Sequence, residues 1–461
     1  MTRVSLPLLL ALPARRLLLG ALVAALSLTL VAAVPGATAA TKERRVPGTV
    51  VAGSTLGATI AWGYDVNAKG VGFAVWSDGD ATQRRVFAAR RSAKGTWSRP
   101  RPLSGSFSRT GKREFAGYAD VAVDGRGRGT VVWTESRGKG VVVRSATSKG
   151  RGWSKPRTLS RPGDFAGFAD IEVSRRGHAV LIWAGSFPFG DSDFTLLARY
   201  RNPGGPWSEP TRLDSQAPGY RLDARPESVA IDDLGVVTLA WDEISDTGDR
   251  IQVGTRGPTT DWTQQTLAQG TNLNAPAVAT TADGRAVAAW RDFDGTLVSR
   301  RDGATWATPQ KVVSGPSGIA HNLYGLGIAD TGRVALLGQE VVLSGNRVRP
   351  YLVVQDAPGG AWGLEYVDKG FPQPEIPVFT PDLVVSRQGA VTVTWEEQRK
   401  GPAWSRVFVR TRKASGGWKA VTRLGTAPSD PVLGVDGKGR FSVVFGEGGC
   451  CTSVRYASLG K

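Results

Sequence analysis

One unit recurs eight times along this chain, and its punctuation leaves few ways to fold. Each copy has a turn glycine: Gly70, Gly127, Gly177, Gly235, Gly284, Gly332, Gly389 and Gly439. Six residues after each stand Trp76, Trp133, Trp183, Trp241, Trp290, Gly338, Trp395 and Phe445. The seven intervals average about 53 residues, a period that belongs to stacked or ring-shaped repeat architectures. A polar turn former three residues before the glycine, as in Asp124, Asp232 and Asp436, marks a tight turn in which glycine supplies a positive φ.

Each copy spells four short strands, a to d. Strand a alternates, with Val121/Val123, Ile171/Val173, Val229/Ile231 and Leu383/Val385 on one face and the small residues Ala122, Ala230, Ala279, Gly327 and Gly434 on the other. Small residues suit strands crowded near an axis. Strand b is apolar on both faces, as in Ala179-Val180-Leu181-Ile182-Trp183, and is expected to be buried on both sides. Strand c often ends in arginine (Arg90, Arg144, Arg199, Arg300, Arg410). Strand d opens with Trp97, Trp153, Trp207, Trp262, Trp306, Trp362 or Trp418 and carries Pro100, Pro156, Pro210 or Pro309 in four copies. Proline belongs on an edge strand, so d is expected outermost.

Four-stranded units around an axis make an all-β propeller, here of about eight blades, with seven as the alternative. The eighth copy stops after strand c, and a spare strand, Val46 to Ala52, precedes the first strand a. That segment is expected to supply strand d of the last blade and close the ring without a free edge. No linker or second domain is evident, so residues 40–461 are expected to form one domain.

Residues 1–39 have the form of a secretory signal: Arg15-Arg16, an apolar run from Leu17 to Val34, and Ala37-Thr38-Ala39 as a small-residue cleavage site. Sec and twin-arginine export both fit. After its removal no later segment could cross a membrane. The expected location is extracellular.

The net charge is +18, and the signal holds three arginines and no acid, which leaves +15 for the mature chain. A basic surface favours polyanions, and an anionic glycan or cell-wall polymer is the expected partner. No long Lys/Arg run concentrates the charge, and no specific nucleic-acid motif is present. A monomer is expected. His178 and His321 are the only histidines, which excludes a multi-histidine metal site, and neither metal nor cofactor is expected. Cys450 and Cys451 are the only cysteines, so the fold cannot rest on a disulfide framework. An oxidising compartment would favour a vicinal disulfide between them, although adjacent Cα atoms lie closer than an unstrained bridge prefers.

The c–d turns with their strand-d tryptophans, Ser92-Ala93-Lys94-Gly95-Thr96-Trp97, Ser148-Lys149-Gly150-Arg151-Gly152-Trp153 and Asp302-Gly303-Ala304-Thr305-Trp306, resemble the Asp-box repeat of sialidase-like propellers, S-x-D-x-G-x-x-W. The likeness covers about 46–461 as architecture. The box aspartate is mostly missing, sialidases have six blades against eight copies here, and no R-I-P motif occurs. The arginine triad, Tyr/Glu pair and acid Asp that the resemblance would imply therefore find no matching positions. The regularly repeated double glycine of kelch and the repeated W-D signature of WD repeats are absent.

Thirteen of the fifteen tryptophans occupy the two repeated positions and are expected to be inter-blade core. Trp62 and Trp404 break the pattern. The b–c and d–a loops vary in length and share one face, where function is usually placed. Asp78, Glu135, Glu243, Asp292, Glu340, Glu397 and Glu447 sit there, two residues past the strand-b aromatic position, with Gly185 the exception. Such carboxylates serve sugar hydroxyls or acid–base work, or else brace the loops. Asp120, Asp170 and Asp382 add acids near the starts of strands a. Ring closure makes the irregular residues neighbours, so Trp62, Trp404, Glu397 and Glu447 form the candidate ligand site, with Cys450 and Cys451 beside them. Three functions compete: a secreted non-catalytic glycan binder, a sialidase-like exo-glycosidase, and an extracellular protein-interaction scaffold. Whether the chain is an enzyme stays open, and catalytic residues are not assignable.

Overall fold

The turn glycines behave as their spacing demands. In the computed structural model all eight adopt positive φ, between 69° and 94°. The polar residue three positions earlier folds its side chain back onto the same turn. Asp124 Oδ1 accepts from the Arg126 and Arg128 amides at 2.9 Å, and Asn67, Ser174, Asp232, Ser386 and Asp436 do the same in their blades. The structure describes residues 44–46, 48–53, 58–79, 83–105, 114–137, 140–150, 152–161, 165–186, 194–214, 221–222, 228–315, 319–342, 347–367, 381–397, 406–425, 428–448 and 452–460.

The chain folds into eight four-stranded blades in a ring, an all-β propeller. Blade 1 uses Ala58–Val66, Gly72–Gly79 and Gln83–Arg91 as strands a to c, and blade 2 uses Glu114–Val123, Gly129–Arg137 and Gly140–Lys149. The outer strands break where proline removes a donor. Trp97 makes an isolated bridge to Arg91 and pairing resumes at Arg101–Pro102, on either side of Pro100. Pro156 and Pro309 split their outer strands in the same way, whereas the outer strands Thr263–Gly270 and Trp362–Tyr366, without proline, run continuously.

Strand b is the buried layer, and Ala179 to Trp183 are fully enclosed. The small face of strand a is small because the next blade leaves no room. A Cβ on Gly327 would sit 2.4 Å from Val385, and one on Gly434 2.6 Å from the Tyr64 ring. Eight hydrophobic clusters fill the gaps between blades; the fully buried Trp76, Trp133, Trp183, Trp241, Trp290 and Trp395 anchor six of them, and Tyr351 and Phe445 the other two.

Closure follows the sequence expectation and adds to it. Thr49–Gly53 pairs antiparallel with Ser453–Gly460 as the fourth strand of blade 8. Just before it, Arg44–Val46 pairs in parallel with Thr422–Leu424 and gives blade 7 a fifth strand. Pro47, between the two, lies outside the described residues. Tyr64 of blade 1 hydrogen-bonds Ser442 of blade 8 at 2.9 Å, and Tyr64 and Trp97 pack on Tyr456. No helix among the described residues is long and apolar enough to cross a membrane.

Candidate functional site

Antiparallel pairing within each blade puts the a–b and c–d turns on one face and the b–c and d–a loops on the other. The carboxylates at the end of strand b lie towards the loop face, but most are committed to neighbours. Residues i and i+2 of a strand share a face, so the indole of a strand-b tryptophan can reach the carboxylate two residues on. Trp133 Nε1 donates to Glu135 at 3.0 Å, Trp241 to Glu243 at 3.2 Å, and Trp395 to Glu397 at 3.0 Å. Arg250 also grips Glu243 at 2.7 Å, Lys311 pairs with Asp292 at 2.7 Å, Tyr366 donates to Glu340 at 2.5 Å, and Arg455 pairs with Glu447. Asp78, Glu243 and Glu447 are buried. These acids cap the tryptophan core.

Of the sequence candidates, Trp404, Cys450 and Cys451 lie outside the described residues. Trp62 is half-buried, with its Nε1 donating to Ser77 at 2.9 Å. It stands at a bulge where strand a carries an extra residue between Ala61 and Gly63. Strand a is bulged in blades 2, 3, 5, 6 and 8 as well, and the bulges contain Tyr118, Phe168 and Tyr324 in blades 2, 3 and 6 and Ala275 and Asp430 in blades 5 and 8. A bulge re-aims a side chain out of the regular alternation. Tyr118 and Phe168 do so at φ of 43° and 44°, a conformation costly for aromatic residues. The result is a row across three consecutive blades. Trp62 and Tyr118 have ring centroids 5.2 Å apart, and Tyr118 and Phe168 5.1 Å, each pair tilted. Tyr118 is 38% exposed.

Acids lie on strand a just inside this row. Asp120 accepts from its neighbour Val121 at 2.7 Å and from Ile171 of blade 3 at 3.1 Å. Asp65 reaches Val123 of blade 2 at 2.7 Å, and Asp382 reaches Leu433 of blade 8 at 2.8 Å. Strand a is the innermost strand, so its free edge would otherwise leave amides unpaired. The carboxylates satisfy them from the preceding blade. In blade 4 the Ser228 hydroxyl does the same for Val278 at 3.0 Å. Burial outweighs these hydrogen bonds and pushes Asp65 and Asp382 up to about 6. Asp170 and Glu172 of blade 3 are half-buried. Burial raises both well above the ordinary carboxylate range, and the charge of Asp120 beside Asp170, and those of Asp65 and Asp120 near Glu172, raise them further. Among the described residues no group of three or more His, Cys, Asp or Glu is placed to hold a metal ion.

Sequence reasoning singled out Trp62, Asp120, Asp170 and Asp382. It looked from Trp62 back towards blades 7 and 8, whereas the structure joins Trp62 forward to Tyr118 and Phe168. Those two were missed, although Ala-Gly-Tyr-Ala-Asp (116–120) and Ala-Gly-Phe-Ala-Asp (166–170) repeat one pattern fifty residues apart. An aromatic between glycine and alanine inside an otherwise regular strand was the available signal.

No family model matches the chain, and no curated relative does. Its structural neighbours include polysaccharide lyases, an arabinanase and sialidases. An ulvan lyase is 10% identical with a TM-score of 0.46, covering 89% of this chain and 96% of that one. An α-L-arabinanase of Penicillium chrysogenum is 13% identical with a TM-score of 0.40, covering 64% and 93%. The leech intramolecular trans-sialidase is 9% identical with a TM-score of 0.39, covering 85% and 84%.

Proposed function

We propose that this chain is a secreted glycan-binding propeller whose loop face takes its ligand on the Trp62–Tyr118–Phe168 row. One observation carries the reading: the bulges of three consecutive blades place aromatic rings in contact in a row, and Tyr118 of that row reaches solvent. Aromatic faces stack on the apolar faces of sugar rings, and nearby polar groups fix orientation. The basic mature chain favours an anionic glycan.

A second reading, a glycoside hydrolase, is favoured by Asp170 and Glu172. A carboxyl that holds its proton more tightly than an ordinary one can protonate a leaving group, while a neighbouring carboxylate acts as base or nucleophile. A glycan array and a fluorogenic glycoside panel, run with the mature protein and with Tyr118→Gly, separate the two. Binding without turnover, lost in Tyr118→Gly, is the expected result. Turnover abolished by Asp170→Asn would establish the hydrolase. Neither binding nor turnover would remove the glycan reading.

A further inference from the structure

The opposite, short-turn face carries a second concave site. Two residues before each turn glycine stand Ala68, Gly125, Arg175, Asp233, Ala282, Asp330, Arg387 and Gly437, in blade order. In blades 8, 1 and 2 the turns close on their neighbours. A Cβ on Gly437 would meet that of Ala68 at 2.6 Å, and one on Gly125 would meet the Arg175 carbonyl oxygen at 2.7 Å. In blades 3 to 7 the turns surround a pocket of about 250 Å³, with the Asp233 amide donating to the Ala282 carbonyl at 3.4 Å and the Asp330 amide to the Arg387 carbonyl at 3.2 Å. Its floor is Ile231, Ile328 and Val385, and its rim holds Arg175, Asp233, Asp330 and Arg387.

Each guanidinium is held by an aspartate from an adjacent blade. Arg175 donates through Nε to Asp233 at 2.7 Å and through Nη2 to the other oxygen of the same carboxylate. Arg387 donates through Nε to Asp330 at 2.6 Å. The pairs anchor both side chains at the lining of one pocket, where each guanidinium stays partly exposed. Burial lowers the Arg175 pKa, and the charge of Arg387 lowers it further against the opposing charge of Asp330, a like-charge conflict that an anion between the two arginines would relieve. The wall adds a third donor. Four residues before the turn glycine the other blades place Val66, Val123, Val173, Ile231, Ile328, Val385 and Val435, whereas blade 5 places Thr280, which lines this pocket.

We propose that this axial opening is a binding site for a small oxyanion, held between Arg175 and Arg387 and hydrogen-bonded by Thr280. Planar guanidinium forks with their orientation fixed in advance suit phosphate, sulfate and carboxylate groups. The site is independent of the aromatic row and stands or falls without it.

Calorimetric titration of the mature protein with sulfate, phosphate and acetate, each against chloride at matched ionic strength, tests this. Sulfate or phosphate is expected to bind with one site per chain, and Arg175→Ala or Arg387→Ala to weaken it about tenfold or more. Acetate binding more tightly than sulfate would identify a carboxylate as the preferred group. Thr280→Val leaves both ion pairs in place and should weaken binding a few-fold with unchanged unfolding, which covers the case in which an arginine variant does not fold. No saturable binding by the wild type, or binding unchanged in Thr280→Val and in the arginine variants, would overturn the proposal and leave only diffuse attraction to the basic surface.

Discussion

The arc of blades 1 to 3 and the arc of blades 4 to 7 are built from the same repeat, yet they use the axis differently. In the first arc the inner strands carry Trp62, Tyr118 and Phe168 near the loop face and Asp65, Asp120, Asp170 and Glu172 below. In the second, Ser228, Ala277 and Gly325 occupy the positions of Asp120 and Asp170 in blades 4 to 6, and blade 7 keeps the acid as Asp382. At the other end of the axis blades 4, 6 and 7 place Asp233, Asp330 and Arg387 around a pocket that Arg175 of blade 3 completes. The core does not change between the arcs, since Trp133 and Trp183 are as deeply buried as Trp241 and Trp290. Repetition therefore fixes the scaffold, and departures from repetition mark where the molecule is free to do something else.

The largest expected effect tests whether the arcs depend on closure. Deleting residues 40–53 removes Arg44–Val46 from blade 7 and Thr49–Gly53, with buried Val51 and Ala52, from blade 8. At about 1 kcal/mol net per ladder hydrogen bond, the loss should be on the order of 5 kcal/mol. It should appear as a lower melting temperature and earlier exchange of amides in both blades. Unchanged melting would mean that the arcs hold each other without the clasp.

Next comes the contrast between core and row. Trp183→Ala empties a fully enclosed site and should cost roughly 3–5 kcal/mol in urea unfolding. Trp62→Ala removes a half-buried ring with a single indole hydrogen bond to Ser77, and should cost about 1 kcal/mol while weakening ligand binding. Equal destabilisation by the two would make Trp62 part of the core and leave the row without a free platform.

These outcomes bear on how much could be read from the sequence. The turn glycines and strand-b tryptophans were legible because their roles are local: a positive φ and a residue buried on both faces need no distant partner to declare themselves. The closing strand was legible as an unmatched remainder at the two chain ends. The fifth strand of blade 7 was not, because Arg44-Arg45-Val46 is too short to show a period. The carboxylate roles were also hidden. The partner of Asp120 is the amide of Ile171, fifty-one residues on, and that of Asp382 is Leu433. A strand edge facing an axis leaves no mark on composition. The bulges were missed because one extra residue breaks the very alternation used to find strands.

The staples give a comparison within the ring. Asp382 and Ser228 occupy equivalent positions and hold equivalent amides, one with a charge and one without. Burial raises Asp382 to about 6, so the folded protein binds this proton more tightly than the unfolded chain. Its contribution to stability is complete below about pH 4, the unfolded value, and is lost as pH rises through about 6. Asp382→Ser should remove that segment of the stability profile, a change on the order of 2 kcal/mol between pH 4 and pH 7. Denaturant melts at the two pH values read it directly. A profile unaltered by the substitution would mean that Asp382 is ionised in the folded state as readily as in the unfolded one.

The smallest effect on stability is expected at Tyr118, and its smallness is the test. Tyr118 holds φ at 43°, where a side chain strains the backbone and glycine does not. Tyr118→Gly relieves that strain, worth about 1 kcal/mol, but loses ring contacts with Trp62 and Phe168 and gives the unfolded chain more freedom. These terms oppose one another, so the net change should stay within about 1 kcal/mol. Ligand affinity has no such compensation, because glycine offers no ring on which a sugar can stack. The expected result is a variant that melts like the wild type and no longer binds. Loss of binding together with a large loss of stability would instead make Tyr118 a structural wedge between blades 1 and 3, and its strained backbone would then serve the ring and not a ligand.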